Sequence, residues 1–184
     1  GITMKTKVKH YNFISKISTI FLKQYDFDKA INKSLKFLSK KTNADRAYIF
    51  MFRKNGRYMD NTHEYCKKGV SSQLEKLQNI ETNNIKWWIN ELREKGSIHI
   101  SDISKLPKSA NAERISLEEQ NIKSVICFPF YHNREMIGFV GLDNIYEVSA
   151  WRDENIEYLN IATNIISKAI EKENTNKQIS RMNS

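Results

Sequence analysis

The sequence is poor in cysteine, proline and glycine, and it contains no long apolar run. Its two cysteines, Cys66 and Cys127, cannot form a disulfide framework and lack the paired spacing of a zinc site. No stretch approaches the ~20 apolar residues that cross a bilayer, and the N-terminus lacks the apolar core of a signal peptide. We therefore expect a cytoplasmic protein with no membrane segment and no metal site.

Positive charge is concentrated at the N-terminal end of the chain. The formal net charge is +9, and residues 1–41 contain ten lysines against two aspartates. These lysines alternate with apolar residues at helical spacing, whereas nucleic-acid-binding patches usually concentrate arginine and aromatic residues. We interpret the lysines as the solvated face of amphipathic helices and predict no nucleic-acid partner.

The spacing of apolar residues predicts two helices before residue 45. In the first helix the apolar residues recur at three- and four-residue steps, at Tyr11, Ile14, Ile17 and Phe21. Asp26 or Asp28 is placed to cap the second helix, because an aspartate at that position accepts hydrogen bonds from free backbone amides. The opening residues 1–7 resemble a tag remnant or a disordered start, so we exclude them from the fold prediction.

Two β-hairpins are predicted in the middle and late parts of the chain. The apolar run 47–52 ends at Asn55-Gly56, a strong hairpin signal because both residues tolerate positive φ, and a return strand follows at 57–66. A second hairpin spans 124–131 and 135–143. Between the hairpins lies a helix that Thr82 or Asn83 can cap and that ends at Gly96.

The last predicted helix begins near Trp151, with Ser149 as its expected cap. Its apolar residues form a heptad-like seam at Leu159, Ala162, Ile166 and Ala169. This seam and the residues Ile14, Ile17 and Phe21 of the first helix are predicted to belong to the helices that mediate dimerisation and signalling. Adjacent hairpins indicate an antiparallel sheet with the terminal helices on one face and the inserted segment on the other, which is an α+β sandwich.

Several short segments, in their order and spacing, resemble the GAF domains of bacterial and archaeal signalling proteins. These segments are 44–50 (ADRAYIF), 87–92 (WWINEL), 98–103 (IHISDI) leading to Leu106-Pro107, Glu113-Arg114, 120–126 (QNIKSVI), 137–143 (IGFVGLD) and 151–154 (WRDE). They are arranged as in the GAF modules that precede histidine kinase or diguanylate cyclase outputs. The resemblance covers residues 8–172, and 173–184 is expected to form a polar helical tail leading to an output domain.

The resemblance implies a PAS-related fold with a ligand pocket on one face of a central antiparallel sheet. It also implies a non-catalytic sensor and dimerisation module in a signal-transduction protein, with a covalently linked output domain and a homodimer as partners. Strand alternation and the resemblance together predict the pocket residues, which are Tyr48, Phe50, Phe52, Tyr65, Trp87, Trp88, Ile126, Phe128 and Phe139. The alternative that these rings simply fill the core stays open, and the ligand is not identified.

The sequence bears on three more specific chemistries. Cyclic-nucleotide GAF domains carry an Asn-Lys and Phe frame that does not precede Asp153-Glu154, and tetrapyrrole sensors attach their cofactor at a position that Cys66 does not match. The enzymatic alternative is a redox enzyme similar to free methionine sulfoxide reductase, in which Lys67 and Lys68 would favour a Cys66 thiolate. A structural spacer without a ligand is the remaining alternative. We predict no enzyme activity.

Overall fold

The computed structural model describes residues 3–184. Within these residues the helices are α1 (Met4–Lys23), α2 (Phe27–Thr42), α3 (Lys86–Lys95), α4 (Asn111–Glu119) and α5 (Asp153–Met182). The strands are β1 (Arg46–Arg53), β2 (Tyr58–Cys66), β3 (Ile80–Glu81), β4 (Ile98–Ile100), β5 (Ser124–His132) and β6 (Glu135–Asn144). Short 3-10 turns occupy 82–85, 103–105 and 108–110.

The six strands form one antiparallel sheet in the order β3-β2-β1-β6-β5-β4. One apolar cluster lies between the sheet and helices α1, α2 and α5, and a second lies on the opposite face beneath α3 and α4. The predicted α+β class, with terminal helices on one face and the inserted segment on the other, is confirmed. The short edge strand β3 carries no recognisable sequence signal and was not predicted.

Local sequence signals explain where several elements begin and end. The Asp26 carboxylate accepts a hydrogen bond from the Lys29 amide at 2.9 Å and so caps α2. The β1–β2 turn has positive φ at both Asn55 and Gly56, as the Asn-Gly pair predicts. Gly96 ends α3 in the left-handed conformation. Neither Thr82 nor Asn83 caps α3, because both lie within the 3-10 turn 82–85 that precedes the helix.

The predicted dimer seam lies inside the chain's own core. Leu159, Ala162 and Ile166 are fully buried against the sheet and α1, together with Ile17. Phe21 packs against the same cluster and Ala169 is half-buried, so only Ile14 of the predicted set is exposed. A three- and four-residue repeat packs equally well within one chain or between two, and here the intrachain sheet covers it.

The ends of the described chain also differ from the prediction. Helix α1 begins at Met4, so residues 4–7 are helical, while Gly1 and Ile2 lie outside the described residues. Helix α5 starts at Asp153, and the Ser149 hydroxyl accepts a hydrogen bond from Asn144 rather than capping the helix. Helix α5 continues without a break through 173–182, which agrees with the helical character predicted for this segment. Within residues 3–184, no helix combines the length and apolarity needed to span a bilayer.

Candidate ligand cavity

A cavity of about 80 Å³ lies between the sheet and the inserted segment that carries α3 and α4. Its floor is formed by Tyr48 and Phe50 of β1 and Phe139 of β6, and Trp88 of α3 and Leu117 of α4 form the opposite side. The rings of Phe50 and Phe139 stack with their centroids 5.0 Å apart. The cavity therefore combines four aromatic rings with aliphatic and polar side chains, which suits a compact ligand with an apolar body and polar groups.

Strand pairing explains why the aromatic side chains converge. Phe50 lies opposite Phe139 across the β1–β6 pair, and Tyr48 lies opposite Gly141. A Cβ atom added to Gly141 would lie 2.5 Å from the nearest Tyr48 ring carbon. Glycine at this position therefore lets the tyrosine ring lie flat over the neighbouring strand.

Three buried polar residues form a connected cluster in the lining of the cavity. The Tyr48 hydroxyl donates to the Asp143 carboxylate at 2.8 Å, and an Arg46 terminal nitrogen lies 3.6 Å from the other Asp143 oxygen. Burial raises the pKa of Asp143 to about 7, against the opposing effects of the Tyr48 hydrogen bond and Arg46. The Arg46 guanidinium also donates to the Ser71 and Gln120 carbonyls at 3.1 and 3.3 Å, which ties both flanking loops to the sheet.

Glu113 of α4 is a second buried acidic residue that lines the cavity, and it is only 4% exposed. Its Oε2 atom accepts a hydrogen bond from the Trp88 backbone amide at 2.9 Å. Helix α3 has no side-chain cap from its own residues, so Glu113, on the neighbouring helix α4, provides the cap. Among residues 3–184, Glu113 forms no ion pair.

Two further buried polar atoms of lining residues have no hydrogen-bond partner in the described chain. These atoms are the Asn61 side-chain oxygen and the Trp88 indole nitrogen. The Asn61 amide nitrogen donates to the Ile49 and His63 carbonyls, which fixes the orientation of the side chain. Because buried polar atoms in native proteins are rarely left unpaired, an acceptor and a donor at one cavity favour a bound molecule.

The structure separates the predicted pocket residues into three groups. Tyr48, Phe50, Trp88 and Phe139 line the cavity, and Phe52 and Trp87 pack against the surrounding cluster without lining it. Tyr65, Ile126 and Phe128 instead lie on the helix-covered face of the sheet.

Strand pairing gives the reason for the misplaced residues. Ile126 pairs with Leu142 and Phe128 with Val140, and both partners belong to the helix-side core. Tyr65 pairs with Ala47 in the same way. Cross-strand partners share a face, so Cys127 rather than Ile126 lies on the Tyr48 side. The alternation along β5 was predicted correctly, but its phase relative to β1 was wrong.

Comparison with known proteins identifies the family. The model of the GAF domain matches residues 26–170. The chain belongs to the GAF domain family. It is 28% identical over 164 residues to the methanogenesis regulatory histidine kinase FilI of Methanothrix harundinacea (strain 6Ac), an alignment that covers 87% of this chain. The chain spans only 18% of the length of that kinase.

Solved structures with the same fold include two from the phytochromes. The phycocyanobilin-bound GAF domain of a cyanobacterial phytochrome matches with a TM-score of 0.74 at 15% identity, over 89% of this chain and 94% of that one. The chromophore-binding domain of the bacteriophytochrome RpBphP3 from R. palustris also matches with a TM-score of 0.74. The identity is 11%, and the match covers 96% of this chain and 64% of that one. At these identities the similarity shows the GAF fold alone.

The cavity of this GAF domain does not fit a tetrapyrrole. Its volume of about 80 Å³ is far below the roughly 300–1,000 Å³ of pockets that enclose drug-sized ligands. Cys66, at the end of β2, is not among the residues that line it. Among residues 3–184, no group of three potential metal ligands occurs either.

Neither cysteine of the GAF domain has the environment of a reactive thiolate. Burial and the neighbouring Glu64 raise the pKa of Cys66 to about 12. The adjacent Lys67 amine bonds instead to the Asn43 carbonyl at 3.1 Å, so it does not activate the thiol as the sequence suggested. Cys127 is fully buried, and burial raises its pKa as well. At neutral pH both side chains are thiols.

The polar residues of the cavity were missed from the sequence. Glu113 is noted in the sequence only within the GAF-like pair Glu113-Arg114, yet it lies between buried Ala110 and Leu117 at steps of three and four. That spacing places it on the apolar stripe of α4, and it was the available signal. Arg46, Asn61 and Asp143 gave no such signal, because their burial depends on strand pairing and on distant loops.

Proposed function

We propose that this GAF domain is a non-catalytic sensor that binds a small molecule in the cavity and regulates a linked output domain. The observation that carries the proposal is a cavity with aromatic rings on its floor, whose lining residues include buried polar atoms without partners among the described residues. The similarity to a histidine kinase favours a kinase output over a diguanylate cyclase, and a cytoplasmic location is consistent with this role. The thiol environment argues against the redox-enzyme alternative.

Ligand binding would reach the terminal helices through the two central strands. Phe50 and Phe139 contact the cavity, while the adjacent Ile49 and Val140 on the same strands belong to the core against α2 and α5. A displacement of either ring therefore moves residues that support α5. A ligand produces such a change only when it binds two arrangements of the helices with different affinities.

The proposed homodimer uses the exposed face of α1 rather than the seam of α5. Val8, Tyr11 and Leu22 are 51%, 71% and 76% exposed, and their spacing of three and eleven residues follows a heptad. The buried residues Phe13 and Ile17 occupy the other side of the same helix. These exposed apolar residues, with the small residues Ser15 and Ser18 at the heptad positions between Tyr11 and Leu22, lie opposite the core-facing side and are suited to pairing with a second copy.

Charge would oppose this pairing at low ionic strength. Helix α1 contains five lysines and no acidic residue. Two such helices side by side repel one another, and salt screens that repulsion over a Debye length of about 10 Å at 0.1 M. We therefore expect dimerisation to strengthen as salt concentration rises.

Native mass spectrometry of the freshly purified protein, followed by denatured mass spectrometry, tests the proposal. A captured molecule that is lost on denaturation supports the sensor, and a doubled protein mass supports the dimer. The captured molecule should be absent from a variant in which Leu117→Trp fills the cavity. Retention of the molecule by that variant would place its binding site elsewhere. A domain that binds nothing in this test or in a broad fragment screen would be a structural spacer.

A further inference from the structure

We infer that the ligand of the cavity is a small organic cation with N–H donors, and that the Glu113 carboxylate is its counter-ion. This inference rests on the proposed sensor function and specifies the chemistry of the same cavity. It follows from the charge, the hydrogen-bonding capacity and the volume of the lining.

The charged residues around the cavity favour a cation over an anion. The described lining contains the carboxyl groups of Glu64, Glu113 and Asp143 but only one basic side chain, Arg46. The Arg46 guanidinium is already committed to Asp143 and to two loop carbonyls. An anionic ligand would therefore meet excess negative charge and no free basic group in the described lining, which is costly in a buried site.

Glu113 is the acidic residue best placed to bind the cation. Glu64 is occupied by the Ser72 hydroxyl and the Gln73 amide, and Asp143 is occupied by Tyr48 and Arg46. Only one oxygen of Glu113 is engaged by the described residues, at the Trp88 amide. The N-terminus of α3 offsets part of the Glu113 charge, but a buried carboxylate without a charged partner gains strongly from a bound cation.

The remaining lining groups fit the same chemistry. The Asn61 side-chain oxygen is a buried acceptor without a donor, so it suits an N–H group. Trp88, Phe50 and Phe139 line the same cavity, and aromatic rings of this kind attract cations through their quadrupoles. The unpaired Trp88 indole N–H can serve one acceptor atom on the ligand.

The volume restricts the ligand to few atoms. The volume of about 80 Å³ lies well below the roughly 300–1,000 Å³ of pockets that enclose drug-sized ligands, so a compact ligand fits best. Isobutylammonium, with a branched apolar body and one ammonium group, is a probe of this size. Isobutanol is its neutral counterpart, isobutyrate its anionic counterpart, and tetramethylammonium a cation without N–H donors.

Calorimetric titration of the intact protein with these four probes tests the inference. Isobutylammonium should bind roughly 10- to 100-fold more tightly than isobutanol, as expected for a hydrogen bond to a charged group. Isobutyrate should bind most weakly, and tetramethylammonium should bind less tightly than isobutylammonium. Equal binding of isobutanol, tighter binding of isobutyrate, or no binding of isobutylammonium would overturn the inference.

A matched pair of variants connects the preference to one residue. Glu113→Gln keeps a carbonyl oxygen for the Trp88 amide but removes the charge, so isobutylammonium affinity should fall roughly 10- to 100-fold while isobutanol affinity stays unchanged. Glu118→Gln, in the exposed part of α4, should change neither. An unchanged isobutylammonium affinity in folded Glu113→Gln would overturn the role of Glu113. Should that variant fail to fold, the four-probe comparison on the unmodified protein still decides.

The failure of the inference is distinguishable from the failure of the sensor function. The indole N–H signal of Trp88 in an NMR fragment screen reports binding of neutral and anionic molecules in the cavity. A neutral or anionic ligand that shifts this signal would refute the inference of a cationic ligand but would leave the proposed sensor function in place. The absence of any fragment that shifts it would refute both.

Discussion

The fit between Tyr48 and Gly141 can be tested by adding a single methyl group. In Gly141→Ala the new Cβ atom would lie 2.5–2.6 Å from two ring carbons and the hydroxyl oxygen of Tyr48, too close for any real contact. The tyrosine must move, and its hydroxyl then leaves the 2.8 Å hydrogen bond to Asp143. Overpacking costs about 1–3 kcal/mol, and an unpaired buried acceptor costs a further ~1–3 kcal/mol.

The expected loss in the free energy of unfolding is thus about 2–6 kcal/mol. For a chain of this length each kcal/mol lowers the melting temperature by roughly 2–4 °C. Urea unfolding followed by circular dichroism measures the loss, and a double-mutant cycle with Tyr48→Leu assigns it. In the Tyr48→Leu background the same alanine should cost under ~1 kcal/mol, because the ring is gone. A Gly141→Ala variant as stable as the unmodified protein, or an equal cost in both backgrounds, would refute the reasoning.

Three further predictions concern the core, the dimer surface and the buried acid. Leu159→Ala should lower the free energy of unfolding by about 2–5 kcal/mol without changing the mass measured by light scattering. A variant of unchanged stability with a changed mass would indicate that Leu159 lies in a dimer interface. Tyr11→Glu should give a monomer with an unchanged melting temperature, measured by sedimentation across a salt series, and a persistent dimer would exclude this face. The raised pKa of Asp143 means that the folded state binds its proton more tightly than the unfolded state does. Its contribution to stability should therefore fall as pH rises from about 4 to 7, and Asp143→Asn should remove that slope relative to the unmodified protein. Parallel stability–pH curves for the two proteins would contradict the assignment.

The elements that the sequence predicted are those with local causes. The Asn55-Gly56 turn, the Asp26 cap and the end of α3 at Gly96 each depend on residues within a few positions. The layer arrangement followed from adjacent hairpins and from the GAF resemblance. These signals are sufficient to place the cavity between the sheet and the inserted segment.

The errors arose where the deciding contact is distant in sequence. The phase of β5 is set through β6, which pairs with β1 more than 80 residues away, so Ile126 was assigned to the wrong face. Whether Leu159 and Ile166 pack within one chain or between two cannot be read from spacing, because both arrangements use the same repeat. The burial of Glu113 likewise depends on α3, whose first turn it caps.

Helix α5 changes its surroundings along its length, and this has a mechanical consequence. It is held in the core up to Ile170, and its last twelve residues, 171–182, extend largely exposed beyond it. Twelve helical residues measure roughly 18 Å, so a tilt of about 10° at the core would carry the far end through about 3 Å. A helix held in this way would act as a lever: a small motion of the sheet beside the cavity would be enlarged at the far end of α5 to a displacement of the size that changes a helix–helix contact.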